Sequence, residues 1–209
     1  MSALTKVGLT GGIASGKSTV SRRWQHKAGA TVIEADKLAH RTLEPDTPTW
    51  AAIVRTFGQG ILNADRTVNR PKLGEVVFAD EQKRLALNAI VHPAVLQMWT
   101  EELDKLTREG KTRVAVAAIP LLYEVGAEKE FDCVVVVACP EQTQLARLAA
   151  KGMNETQARA RLRAQWPVQR KMDRADYVVW NDGTLEILHQ QADIIWATIK
   201  ENHHAPTKN

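Results

Sequence analysis

The sequence predicts an α/β fold: a five-stranded parallel sheet with helices on both faces. Three observations carry that expectation. Short apolar or β-branched runs, centred near Val7, Val32, Val116, Val135 and Val178, recur along the chain with helical sequence between them. The runs from Arg113 to Ile119 and from Phe131 to Val137 are apolar almost throughout instead of alternating, as a strand must be when helices cover both its faces. The first run leads directly into a glycine-rich loop that opens a helix.

Residues 4–20 read L-T-K-V-G-L-T-G-G-I-A-S-G-K-S-T-V, and Gly11 with Gly16-Lys17-Ser18 gives the full Walker A spacing. Glycines let the backbone wrap closely round an anion, where a side chain would clash and a positive φ would be strained. Successive N–H groups form a nest, and the following helix adds the positive end of its dipole. In this pattern Lys17 reaches the β- and γ-phosphates and the Ser18 hydroxyl holds Mg²⁺. A glycine-rich turn that binds nothing would not need the Gly-Lys-Ser ending after a strand. The chain is therefore expected to bind a nucleoside triphosphate.

The helix after this loop should span Lys17 to Ala28, with Val20, Trp24 and Ala28 at four-residue spacing and Gly29 as its stop. Ala30-Thr31-Val32-Ile33 reads as the second strand and ends in Glu34-Ala35-Asp36. Ligands of open parallel sheets bind beyond the carboxyl ends of the strands, so these acids are expected to project towards the loop. Asp36 then accepts a hydroxyl proton or helps to hold Mg²⁺, or else it caps the helix that follows; spacing alone leaves these open. From Glu44 to about Gly110 no strand is evident. Pro45 to Pro48 breaks the chain, Trp50, Ile53, Val54 and Phe57 repeat helically, and Pro71 suits a first helical turn. Residues 82–92 read as helix up to His92-Pro93, where the proline should start a new helix or kink the old one. Val95, Met98, Trp99, Leu103 and Leu106 continue as a stripe. This helical block is an insertion suited to holding an acceptor. His92, among apolar neighbours, is equally a core histidine or a substrate contact.

Arg113–Ile119 and Phe131–Val137 are the third and fourth strands. A helix should run from Glu141 to Lys151, and another, capped by Asn154, to about Trp166. Arg147, Lys151, Arg159, Arg161, Arg163, Arg170, Lys171 and Arg174 make this stretch basic. A basic helix is ordinarily a solvated face; here it also suits a lid that delivers arginine to a transferring phosphate. Tyr177–Trp180 is the fifth strand, and a last amphipathic helix carries Leu185, Leu188, Ala192, Ile195 and Ile199. The polar tail from His203 to Asn209 is expected to fray, and its His203-His204 pair is weak evidence for a metal. The expectation is one domain: a core of residues 1–44, 111–145 and 172–202, a helical acceptor-binding insertion over 45–110, and a lid over 146–171.

Hydrophobic residues at 44% and charged residues at 25% of 209 are ordinary for a globular chain with a sizeable core. A net charge of +4 suits phosphate handling as well as nucleic acid, but no Lys/Arg run or aromatic-interleaved patch marks the latter. No leader is expected, and no apolar stretch approaches the ~18 residues of a membrane span. Cys133 and Cys139 lie in extended sequence; at about 3.3 Å per residue they are roughly 20 Å apart, outside disulfide reach. Reduced thiols suit a cytoplasmic protein.

No Asn-Lys-x-Asp guanine signature is present, and no acid ends the strand from Ala115 to Ile119 as in an ATP-driven motor. A small-molecule kinase remains. Over roughly residues 4–195 the chain resembles the dephospho-CoA kinase family. The matching segments include V-G-L-T-G-G-I-A-S-G-K-S-T-V at 7–20, V-I-E-A-D at 32–36, F-G-Q-G-I-L at 57–62 and V-N-R-P-K-L at 68–73. I-V-H-P at 90–93, P-L-L-Y-E at 120–124, Q-L-A-R-L at 144–148, R-A-Q at 163–165 and A-D-Y-V-V-W-N-D-G at 175–183 complete them.

The resemblance implies a P-loop kinase fold. It also implies transfer of the γ-phosphoryl group of ATP, with Mg²⁺, to the ribose 3′-hydroxyl of dephospho-CoA, the last step of coenzyme A biosynthesis. It implies Asp36 as catalytic base, with Lys17 and Arg147 on the transferring phosphate. Gly12, Ala14, Ser15, Gly16, Lys17, Ser18 and Thr19 then form the nucleotide site, Asn181 meets the adenine edge, and Ser18 is the metal residue. Asp36, Arg70, His92, Leu122, Glu124 and Gln165 fall on the acceptor side. The implied partner is a small molecule, with no specific nucleic acid and no membrane, and the protein a cytoplasmic monomer or weak homo-oligomer. A related kinase for another hydroxyl or nucleotide, and a non-catalytic ATP-dependent switch, are the alternatives. Four departures from the family pattern stand out. Glu34 replaces an aspartate, and Ala14 replaces a glycine, which is tolerated if its φ is negative. His40, followed by Arg41, stands where arginine is general. Lys151 stands where a second lid arginine is common; because lysine lacks the bidentate fork, Arg147 is expected to carry more of the lid's role.

Overall fold

The computed structural model describes residues 4–110 and 112–202, so the tail with His203-His204 lies outside the described residues. Strands β1 (Thr5–Gly11), β2 (Thr31–Glu34), β3 (Val114–Ala118), β4 (Cys133–Ala138) and β5 (Tyr177–Trp180) form one sheet in the order β2-β3-β1-β4-β5. β1 pairs parallel with β3 and β4, and β4 parallel with β5; Val7 lies opposite Val116 on one side and Cys133 on the other. Every residue of β3 and β4 is buried, which accounts for their unbroken apolar sequence. The edge strand β5 alternates instead, with Val179 buried between more exposed neighbours.

Successive residues of β4 serve opposite faces of the sheet. Cys133, Val135 and Val137 join a core with Val7, Leu9, Trp24 of α1 (Lys17–Ala28) and Trp196 of α9 (Leu185–Asn202). The two tryptophan rings lie 5.4 Å apart, and the Trp24 indole N–H donates to the Ala192 carbonyl at 2.8 Å. Val134, Val136 and Ala138 face the other way, into a cluster with Leu122, Tyr123 and, packed on it, Trp166, Val168 and Met172. Helices α6 (Glu141–Ala149), α7 (Glu155–Arg163) and α8 (Val168–Met172) follow β4.

The chain divides into two compact units, Met1–Ile33 with Leu103–Asn209, and Glu34–Glu102. The second is helical: α2 (Ala35–Thr42), α3 (Pro48–Phe57), α4 (Arg70–Ala79) and most of α5 (Glu81–Glu109). Its own core is Ile53, Ile61, Val68, Leu73 and Val77. Thr47 and Asn69 cap α3 and α4 by accepting from the N–H groups of Trp50 and Lys72, each at 3.1 Å, with a proline in the first turn.

The α1 boundaries, β5 and the helix cap at Asn154 follow the sequence expectation, and Gln157 completes a capping box there. Three details are resolved by the structure. Of the two readings of Pro93, a new helix does not begin there; α5 is continuous through it, with Leu87, Ile90 and Val91 packed on the small core before it and Trp99 buried after it. Such packing offsets the one backbone bond a proline removes. α7 stops at Arg163, and Pro167 starts the short α8, which the sequence did not distinguish. Asp36 does not cap α2: the helix begins at Ala35, so the cap position belongs to Glu34, whose backbone is extended. Cys133 and Cys139 carry free, buried thiols.

Candidate active site

The glycine-rich loop leaves the sheet at Gly11, opposite Val137 near the end of β4, which is the carboxyl edge where ligands of such sheets bind. Gly16 turns it into α1 at φ 105°, a conformation that favours glycine, and a Cβ there would run into the Asn181 amide. Ala14 also has a positive φ, 57°. The negative φ that would make alanine equivalent to glycine there is therefore absent, and the residue stores roughly 1–2 kcal/mol of steric strain.

What holds that strained loop is a set of side chains from distant parts of the chain. Gln144 donates to the Ile13 carbonyl at 2.6 Å, while the Ile13 N–H donates to Gln165 Oε1 at 2.9 Å. Arg147 Nη1 donates to the carbonyls of Ala14 and Ser15 at 3.2 and 3.4 Å, and its Nη2 to the Asn181 carbonyl at 3.1 Å. The Asn181 amide donates in turn to the Ser15 carbonyl at 2.7 Å. The carbonyls of residues 13–15 are thus turned towards donors, and carbonyl oxygens so held cannot repel a phosphate lodged in the nest. The Ser15 hydroxyl is buried with no hydrogen-bond partner among the described residues, a polar group that a bound ligand can satisfy. Beside the loop, a cleft of about 420 Å³ is lined by Pro140, Thr143, Ala146, Arg147 and Asp182. Its size suits a nucleoside, and Arg147 belongs to both cleft and loop.

Lys17 opens α1 and Ser18 follows, exposed, with Thr19 after it. Gly12 comes so close to the Gln144 amide that a Cβ would clash. Leu122 is fully buried in the second core cluster. Glu124, beyond the end of β3, accepts at Oε1 from Lys171 Nζ and from the Trp166 N–H, both at 2.8 Å. In the helical unit, Asp36 is the second residue of α2, directly past β2, and His92 lies half-buried in α5. Arg70 opens α4 and its guanidinium meets the His40 imidazole, while Arg41 pairs with Glu102 at 3.9 Å. Among the described residues, no group of three or more His, Cys, Asp or Glu side chains is arranged to hold a metal. Burial pushes the Cys133 thiol up to about 12, with Asp176 adding to the effect, and Cys139 is raised by burial as well. Neither offers a thiolate nucleophile at neutral pH.

Gln144 and Lys171 are functional candidates that sequence reasoning missed. Gln144 had no charge to signal it, and Lys171 was one of many cations in a stretch read as a basic lid or a solvated face.

A Walker loop at the carboxyl edge of a parallel sheet, with an arginine-lined cleft beside it, defines a P-loop nucleotide-dependent kinase. The model of the dephospho-CoA kinase family matches residues 5–186, and the chain belongs to that family. It is 39% identical to the dephospho-CoA kinase of Syntrophus aciditrophicus, an alignment covering 99% of this chain and 88% of that protein. With the Bacillus licheniformis dephospho-CoA kinase the identity is 45%, over 93% and 98% of the two chains. The crystal structure of a Thermus thermophilus protein superposes with a TM-score of 0.77 at 33% identity, over 94% of this chain and 98% of that one.

Proposed function

We propose that this protein transfers the γ-phosphoryl group of ATP to the ribose 3′-hydroxyl of dephospho-CoA, giving coenzyme A and ADP. The observation that carries this reading is the braced phosphate loop in a chain of the dephospho-CoA kinase family. The nest of residues 11–18 holds the triphosphate, Lys17 neutralises its outer phosphates, and the cleft at Pro140, Thr143 and Asp182 takes the nucleoside. Ser18 and the phosphate oxygens are a sufficient set for Mg²⁺, which keeps most of its other positions for water. When bound, the ion supplies charge neutralisation on the phosphates.

Asp36 accepts the proton of the attacking hydroxyl, a contribution of typically about 10²–10⁴ in rate. Arg70, His92 and Glu124 hold the acceptor. Arg147, with its planar fork, both braces the loop and stabilises charge on the transferring group. Transfer is in line, and positioning supplies most of the catalysis. The protein works in the cytoplasm on this small molecule; among the described residues no helix is long and apolar enough to cross a membrane.

ADP release measured in parallel with dephospho-CoA, AMP, shikimate and no acceptor tests this. Release that requires dephospho-CoA, with phosphate appearing on its 3′ position, is expected. Equal release without acceptor, or preference for shikimate or AMP, would overturn the assignment.

A further inference from the structure

Lys171 places an ammonium group in the interior: its side chain is 0% exposed, whereas that of Arg174 on the same segment is 48% exposed. A buried charge is costly unless it is paired and its donors are met. Nζ donates to Glu124 Oε1 at 2.8 Å and to the Pro120 carbonyl at 3.0 Å. Burial lowers the Lys171 pKa, and the Glu124 charge works against that shift. The Pro120 carbonyl also accepts from the Thr10 hydroxyl at 3.2 Å, and Thr10 immediately precedes the first glycine of the phosphate loop. The carboxylate is used unequally. Oε1 takes both Lys171 and the Trp166 N–H, while Oε2 is buried with no donor among the described residues. A buried oxygen so left can take a donor from a bound ligand.

We propose that Lys171 is a positioning residue for the acceptor side of the kinase reaction, acting through Glu124. The inference rests on the assignment of Glu124 to that side. Lys171 fixes one oxygen of the carboxylate and leaves the other for a donor brought by the bound acceptor. Its second bond sets this carboxylate relative to the end of β3, at the same carbonyl that anchors the root of the phosphate loop. Without Lys171, Oε1 of Glu124 keeps only the Trp166 N–H and the carboxylate turns.

The test compares Lys171→Met, Glu124→Gln and the double variant of the full chain by thermal melting, ATP binding and steady-state kinetics with dephospho-CoA. Lys171→Met should melt at lower temperature and lose about a hundredfold in kcat/KM for the acceptor, the scale expected of a misplaced contact. Its ATP affinity should stay within about twofold, because Thr10 keeps its own bond to Pro120. The double variant removes the stranded charge and should recover melting temperature but not acceptor kcat/KM. Recovery of both, or equal losses for ATP and acceptor in Lys171→Met, would overturn the proposal. Should Lys171→Met not fold, the double variant decides alone, with near-wild-type acceptor kinetics counting against it. An unmutated chain that fails to phosphorylate dephospho-CoA would instead sink the underlying assignment, and that result is read without any variant.

Discussion

The phosphate loop and the helical unit hold the residues proposed for function in different ways. Around the loop, Gln144, Arg147, Gln165 and Asn181 reach back over more than 130 residues to bind backbone atoms of residues 13–15. In the helical unit the functional positions sit on helix ends and faces set by local signals: Asp36 at the start of α2, and Arg70 at the start of α4 behind the Asn69 cap. The donor side is therefore preorganised by tertiary hydrogen bonds before nucleotide arrives, which lowers the ordering cost of binding.

That contrast predicts effects of different sizes. Arg147→Ala should be the most damaging change, lowering kcat by about 10³ because it removes a transition-state charge together with three carbonyl contacts. Arg147→Lys should recover little of it, since a single ammonium cannot span the Ser15 and Asn181 carbonyls. Steady-state kinetics with ATP varied would check both, and a change confined to KM would reduce Arg147 to a brace. Asn181→Ala should cost about 1–3 kcal/mol by removing the buried donor to the Ser15 carbonyl, visible in urea melts together with a weaker ATP affinity.

A third prediction lies away from the loop. Arg23, and less strongly Lys27, hold the Asp193 carboxyl well below the usual carboxylate range, with contacts at 2.7 and 2.8 Å that join α1 to α9. Because the folded pKa is depressed, this contribution is present above the unfolded value of about 3.9 and is lost as pH falls below it. Melting temperatures of the wild type should therefore drop more steeply than those of Asp193→Asn between about pH 5 and pH 2. Parallel curves would remove the pair from the stability of the α1–α9 layer. The smallest effect belongs to Ala14→Gly. Relief of about 1–2 kcal/mol of strain, less about 0.5–1 kcal/mol of added chain entropy, should stabilise the protein by up to about 1.5 kcal/mol. A fall in melting temperature would contradict that sign.

The two sides also differ in how much of them the sequence displayed. Local rules placed α1, β5 and the Asn154 cap, because caps, glycine stops and periodicity act over a few residues. The Walker spacing and Asp36 after β2 were legible for the same reason. The bracing of the loop was not: nothing near Arg147 or Gln144 in the chain records that they bind carbonyls at positions 13–15. Lys171 read as one more cation of a basic lid or solvated face, since burial of a single charged residue is decided by packing of α8 under β4, not by its neighbours in sequence. Pro93 was open in the sequence, as a helix start or a bend within a helix, and tertiary packing of α5 selected the continuous helix.

The most direct test of a prebuilt donor side working with a single proton acceptor is to measure ATP binding and turnover on the same preparation of Asp36→Asn. ATP affinity within about twofold of wild type and kcat reduced at least about a hundredfold are predicted. Near-normal turnover, or loss of ATP binding along with turnover, would contradict it.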